Sequence, residues 1–434
     1  MTEYSGRRIR SRTARRGTRM GPLLLAAIAT LASACAGDAR DEEVRDVTVR
    51  DSAGVTIVES GRAPSRPLLT LDTSAAVDIG ETLDEDPDYQ LFQVASALRL
   101  SDGTIVVANR GSHQLKLYDS TGRFVRNVGR QGAGPGEFEQ LNWMGRLPGD
   151  TIVTYDFSGR RLSRFLPDGE FAGSVTLGGS NTSDFVFPVG MLDDGRMVVR
   201  RGAVFTAGES PSGRSRDSLM VMLAGADGIV QDTLGRFPGT ESSVQQSGSG
   251  NNRMMMVTSV PFARGTYLGV HRDAIVVATN DTYEIRLFDT TGQLRRIVRR
   301  LGEPVPVTPA DVEAYRQQQL ESAERSNAQF RTLIERQLAD AEYPQTMPAY
   351  TSVMPDAAGR LWVRESTHMG EPPRWAVYDP DGALMAELTV PDRFRPLDIG
   401  EDYVLGVLRD ELELERVLLY RLAPAGDLAI AASP

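Results

Sequence analysis

The chain has 434 residues, 41% of them hydrophobic, with 42 glycines and 24 prolines, so it holds enough apolar mass for a large core and enough turn formers for an all-β protein. Its formal net charge is −10; without residues 1–34, which carry seven arginines and one acid, the charge is −16. Such an acidic chain repels phosphate backbones, which excludes nucleic acid as an expected partner. Lys116 is the sole lysine, so a Schiff-base amine is excluded at every other position.

The arginine-rich start is followed by an apolar run from Pro22 to Ala34, about thirteen residues. That is too short for the roughly twenty needed to span a bilayer, and it fits the apolar region of a signal peptide over residues 1–34. The run ends Leu31-Ala32-Ser33-Ala34-Cys35, and Cys35 is the only cysteine. Small residues before a lone cysteine resemble a bacterial lipobox, which implies acylation of Cys35 and a lipidated tether over residues 35–46. An ordinary secretory signal with an incidental cysteine is the alternative, and export by the general or the twin-arginine route is open. With Cys35 acylated no second thiol exists, so no disulfide is expected. Ala36, rather than aspartate, after the cysteine favours the outer membrane.

Residues 47–60 (VTVRDSAGVTIVES) alternate around Ser52-Ala53-Gly54 and read as a hairpin. Beyond them, over 61–434, one phrase recurs. "LRLSDGTIVVANRGSHQLKLYDSTGRFVRNVGRQGAGPGEF" is followed about fifty residues later by "GRLPGDTIVTYDFSGRRLSRFLPDGEFAGSV". Short apolar runs divided by Asp-Gly and Asp-x-x-Gly turns, with a period in the forties, mark β-propeller blades. Six blades are laid out by their second strands near residues 103–109, 150–155, 195–200, 273–279, 359–364 and 403–408. Glycines 122, 169, 228, 292 and 382 stand at the turn into the outer strand. Blade six has no outer strand of its own, and the strand near Leu68–Ile79 is expected to supply it, closing the ring. Asp119, Asp289 and Asp379 open turns and are expected to bond turn amides.

Three insertions interrupt the pattern. Thr206–Asp217 and Pro238–Arg253 are Ser/Gly-rich and read as loops. The third, residues 308–343 between blades four and five, is helical: Thr308 caps, Pro309 takes the first helical position and Asp311 follows. About thirty helical residues would extend some 45 Å, so this helix is either broken or lies across one face.

The repeats resemble the NHL family of six-bladed propellers, above all at "GRQGAGPGEF". As a whole, residues 44–424 resemble six-bladed propeller lipoproteins of environmental bacteria, through "VRDSAGVTIVES", "RRIVRRLGEPVPVT" and "GRLWVRES". The resemblance implies the architecture. It implies little chemistry, because such propellers include binding scaffolds and enzymes.

No catalytic or metal constellation is legible. His113, His271 and His368 fall in different blades without ligand spacing, "GSGNN" at Gly248 has no following helix, and "GAGPGEF" lacks the lysine of a phosphate loop. No cofactor is expected. One pattern remains. The loop joining strands two and three of every blade opens on the same face, and the positions there are polar: Asn109/Arg110, Asp156, Arg200/Arg201, Asn280/Asp281, Arg364/Glu365 and Arg409/Asp410. Strand ends turning polar where they meet solvent is one reading. The other is a polar ring around the channel mouth, with Arg110, Asp156, Arg200, Arg201, Asp281, Arg364, Glu365 and Arg409 as ligand-binding residues and the helical insertion as a lid. Four of the six blades would offer arginine forks to anionic groups.

The function expected is that of a monomeric, non-enzymatic envelope scaffold for a protein, peptide or glycan, touching the membrane only through its lipid. The alternative is a metal-dependent hydrolase or lyase of the six-bladed lactonase type.

Overall fold

A computed structural model describes residues 46–64, 67–80, 86–178, 185–201, 213–247, 254–326, 328–339 and 341–426. The signal segment, Cys35 and nearly all of the tether lie outside the described residues. Six sheets, antiparallel except for one parallel pair in the fourth, make a six-bladed β-propeller. Blade one is Val94–Arg99, Ile105–Asn109, Gln114–Tyr118 and Phe124–Val128; blade two is Leu141–Arg146, Ile152–Asp156, Arg161–Phe165 and Phe171–Thr176. Blade three runs from Phe187–Met191 through Met197–Arg201, Gly213–Ala224 and Val230–Ser247 to a fifth strand, Met254–Ser259. Blade four is Thr266–His271, Ala274–Thr279, Glu284–Phe288 and Leu294–Arg300; blade five is Tyr350–Pro355, Leu361–Glu365, Arg374–Tyr378 and Leu384–Thr389.

Blade six contributes three strands in sequence, Phe394–Ile399, Tyr403–Arg409 and Glu415–Pro424, and its fourth is the N-terminal strand Leu69–Ile79. That strand runs antiparallel to Glu415–Pro424, with Ile79 opposite Val417 and Leu69 opposite Pro424. The closing strand expected from the sequence is therefore present.

The second strands explain why the blades were legible. Ile105–Asn109 and Ile152–Asp156 are buried at every position, because each blade is covered on both faces by its neighbours, and such strands read as continuous apolar runs. Six buried clusters among the described residues each span two adjacent blades, including blade six with blade one. At the latter seam Gly122 closes a hairpin turn with φ +85°, and a Cβ there would meet Val77 of the closing strand at 2.8 Å. Asp119, Asp289 and Asp379 accept from turn amides as expected, Asp119 from Thr121 at 2.9 Å and Arg123 at 3.0 Å.

Two features differ from the sequence reading. Residues 213–217 and 238–247, read as loop, are strand: Gly213–Ala224 and Val230–Ser247 form one long hairpin. Their polar alternation follows from exposure, since this end of the hairpin has little covering it. Residues 47–60, read as a hairpin set apart, add two strands to blade four, Val55–Ser60 pairing in parallel with Leu294–Arg300.

The helical insertion is broken into α1 (Pro309–Ser326) and α2 (Ala328–Ala339). It stands on a two-stranded neck in which Val307 bonds Gln345 and Met347 bonds Val305, at 2.9 and 2.8 Å. Thr308 and Asp311 cap α1 reciprocally: the Thr308 amide donates to Asp311 Oδ2 at 2.9 Å and the Asp311 amide to Thr308 Oγ1 at 3.3 Å.

Candidate functional site at the channel mouth

The polar positions after the second strands divide by what they meet on neighbouring chain. Asn109 accepts from the Phe92 amide at 2.8 Å, and Asp156 from the amides of Glu139 and Gln140 at 2.7 and 2.8 Å. Asn280 accepts from the Gly265 amide at 2.7 Å and donates to the Tyr350 carbonyl at 2.8 Å. In three blades the same position therefore pins the connector entering its own inner strand. These buried side chains satisfy backbone groups that would otherwise be orphaned. Asp156, named as a ligand-binding candidate, performs this structural task.

Four of the charged candidates, Arg409, Asp281, Arg201 and Glu365, are also engaged. Arg409 pairs with Glu415 at 2.5 Å and Glu413 at 3.3 Å. Asp281 takes both oxygens to Arg216, at 2.9 and 3.0 Å. Arg201 reaches the Met220 sulfur at 3.5 Å. Glu365, only 7% exposed, is the centre of a network. Its Oε1 accepts from Arg300 and from the Tyr283 hydroxyl at 3.1 Å, its Oε2 from Arg374 at 2.9 Å, and Arg300 also binds Glu387. Burial and the adjacent Glu365 carboxylate hold the Tyr283 phenol well above its ordinary pKa.

Among the described residues, cavities open beside these groups, and three of them bear on the candidates. The first, ≈ 620 Å³, lies between blades four and five and is lined by Tyr283, Arg300, Glu365, Ser366 and Arg374 with Met347 and Pro348 of the neck. An adjoining cavity of ≈ 580 Å³ shares Met347, Pro348, Glu365 and Ser366, and reaches Arg364, His368 and Gln318 of α1. The Ser366 hydroxyl, in the wall between them, is buried and has no hydrogen-bond partner among the described residues. The third, ≈ 390 Å³, is lined by Arg200, Trp143, Tyr267 and Thr240. Thus Asp281, Arg364, Glu365 and Arg200 line cavities, while Arg110, Asp156, Arg201 and Arg409 line none of these three.

The insertion is fastened to this face. Asp311 accepts from His368 Nδ1 at 2.9 Å and from the Met369 amide at 2.8 Å, joining the start of α1 to the loop after the second strand of blade five. Burial works against the Asp311 charge, but the bonds from Thr308, Met369 and His368 outweigh it and hold its pKa well below the carboxylate range. The Asp311 bond raises His368. A second anchor is aromatic: Tyr315 lies 5.3 Å from Phe262 and 6.3 Å from Tyr343. No partner for His368 is legible in the sequence, because Asp311 lies 57 residues away. Among the described residues no three His, Cys, Asp or Glu side chains gather as a metal site.

Residues 83–188, from the entrance of blade one into blade three, match the family model of a 6-bladed beta-propeller. No curated protein matches the chain. Among solved structures, a member of the duf4221 family from Bacteroides vulgatus is similar at 10% identity and TM-score 0.48, over 83% of this chain and 100% of that one. A candidate exported protein from Bacteroides fragilis is similar at 12% identity and TM-score 0.45, covering 85% and 99%. A streptogramin B lyase is similar at 11% identity and TM-score 0.39, covering 82% and 98%. Among the described residues no helix is long and apolar enough to cross a membrane.

Proposed function

We propose that the chain is a cell-envelope lipoprotein with NHL-like repeats, exported by its first 34 residues and anchored through Cys35, whose propeller is a non-enzymatic binding scaffold for a protein, peptide or glycan. The observation that carries this reading is the saturated network around Glu365. A carboxylate held by two guanidiniums and a phenol is spent as a base or metal ligand, but it makes a rigid wall for cavities of ≈ 620 and ≈ 580 Å³. Volumes of this order, with a few fixed polar groups, suit recognition. Acyl chains on Cys35 contribute about 0.8 kcal/mol per buried methylene, so several chains hold the domain at a membrane without a spanning helix. The outer membrane is the proposed address.

The test combines metal analysis of the purified protein with binding to glycan and peptide arrays. Selective binding by metal-free protein is the expected result. Stoichiometric, tightly held calcium or zinc together with lactone cleavage would establish the lactonase-type alternative instead.

A further inference from the structure

Arg200 stands apart from the arginines around it. It has no hydrogen-bond or salt-bridge partner among the described residues, whereas Arg214 and Arg216 in the next strand of its blade pair with Glu241 and Asp281, each at 2.9 Å. It is not loose. Its guanidinium lies 5.1 Å over the Phe187 ring, which stacks on Phe157 at 5.6 Å, with Phe185 beyond at 6.0 Å. Its side chain is exposed at the end of its strand, and no carboxylate among the described residues answers its charge. An anion entering the cavity would therefore meet a guanidinium that no protein carboxylate neutralises. The planar fork fits a carboxylate bidentately.

The rest of the cavity narrows the ligand. Trp143 from blade two and Tyr267 from blade four present rings beside Pro188 and Val189, and Thr240 supplies a hydroxyl. Flat apolar faces beside hydroxyl and guanidinium donors match a pyranose ring carrying an acid group. A space of ≈ 390 Å³ admits one or two such units. Tyr267 also feels the charge of Arg364 from blade five, and the Arg364 side chain likewise has no hydrogen-bond or ion-pair partner among the described residues while lining the cavity that reaches His368. A polymer repeating the acid group would meet a second guanidinium there.

We propose that the cavity at Arg200 is a subsite for the carboxylate of a uronate unit in an acidic glycan, with Trp143 and Tyr267 flanking the sugar and Arg364 serving the next unit. This rests on the scaffold reading and narrows it. The experiment is calorimetric titration of the full-length protein in detergent with oligogalacturonate, its methyl ester, and polyglutamate. The acid should bind at least tenfold more tightly than the ester, and more weakly as salt rises. Arg200→Gln should lose at least tenfold and Arg200→Lys less. Arg196→Gln, on the far turn of the same blade, should match wild type, and unchanged melting of Arg200→Gln should exclude misfolding. Equal binding of acid and ester, an unaffected Arg200→Gln, or equal affinity for polyglutamate would overturn the assignment. If the intact protein ignores uronates yet binds a neutral glycan or peptide on the arrays, the subsite falls and the scaffold stands; if it binds nothing in either arm, both fall.

Discussion

Ile79 tests whether the N-terminal strand is the structural closure of the ring or an ornament on its edge. It is 0% exposed at the end of Leu69–Ile79, faces Val417 across the ladder, and packs with Val107, Tyr118 and Leu405 where blade six meets blade one. Ile79→Ala removes three buried carbons, about 2.4 kcal/mol at about 0.8 kcal/mol each. The cavity left behind brings the expected loss into the range of about 2–5 kcal/mol. Ile79→Val should cost about 0.5–1.5 kcal/mol. Val49→Ala, at a position 63% exposed on the added hairpin, should cost less than about 0.5 kcal/mol. The assay is equilibrium urea unfolding followed by tryptophan fluorescence. Trp362 and Trp375 sit at the opposite seam of blade six, in the cluster that includes Leu69, so they report on the ring from a distance. Ile79→Ala should lower the midpoint of a single transition without changing its slope. A loss below about 1 kcal/mol would refute the closure argument. So would a separate early phase that leaves the main transition in place.

Glu365→Ala leaves Arg300 with Glu387 alone, Arg374 to solvent and the Tyr283 hydroxyl without its acceptor, and should cost about 1–3 kcal/mol in the same unfolding assay; in a double-mutant cycle with Arg300→Gln the losses should be well short of additive. The Asp311–His368 bond predicts a pH window for docking of the insertion. His368 is raised when folded, so its contribution is full below the ordinary histidine value of 6.5 and is lost as pH rises through the folded value; Asp311 is depressed, so its contribution is present above 3.8 and is lost as pH falls through the folded value. Hydrogen exchange at the start of α1 should accordingly quicken from pH 5.5 to 8.5 beyond the intrinsic rate, and His368→Gln should abolish that extra step. Lys116, 2% exposed and bonded to the Pro87 carbonyl at 2.7 Å, should resist amine-reactive esters in the native protein and label only on unfolding, as read by mass spectrometry. Cys35→Ser should move the protein from the membrane fraction to the soluble fraction; equal retention would remove the lipid anchor.

Much of the fold was legible because propeller burial is repetitive. Second strands are covered on both faces, which forces runs such as "IVVAN" and "IVTYD", and hairpin turns demand aspartate and glycine at fixed offsets. The closing strand could be inferred from a deficit, since blade six lacked a fourth strand and an unpaired edge is a liability. The pairing of Thr56 with Arg296 left no comparable trace. Parallel addition at a sheet edge needs no turn between the partners and no apolar period beyond what a free hairpin shows. The long hairpin of blade three was missed for the opposite reason: in its outer half Gly213, Arg214, Asp217 and Ser218 are exposed, so the pairing left no apolar period in the sequence.

The site was less legible, and the reason lies in symmetry. Sixfold repetition brings equivalent positions to one face, so the sequence could place Asn109, Asp156, Arg200, Asn280, Arg364 and Arg409 around the mouth. It could not separate them, because their roles are decided by groups on neighbouring chain that are remote in sequence. Asn109, Asp156 and Asn280 reach connector amides, and these bonds recur because every blade must be entered. Arg409 finds Glu415. Arg200 and Arg364 find no carboxylate among the described residues, so what repetition requires of this position is not what they provide. Structural polar groups in a repeat protein recur with the repeat and are consumed by it. A group left over where the repeat is broken is the one available to a ligand, and Arg200 and Arg364 are singled out because both line cavities, whereas Arg110, also without a side-chain partner among the described residues, lines none of the three.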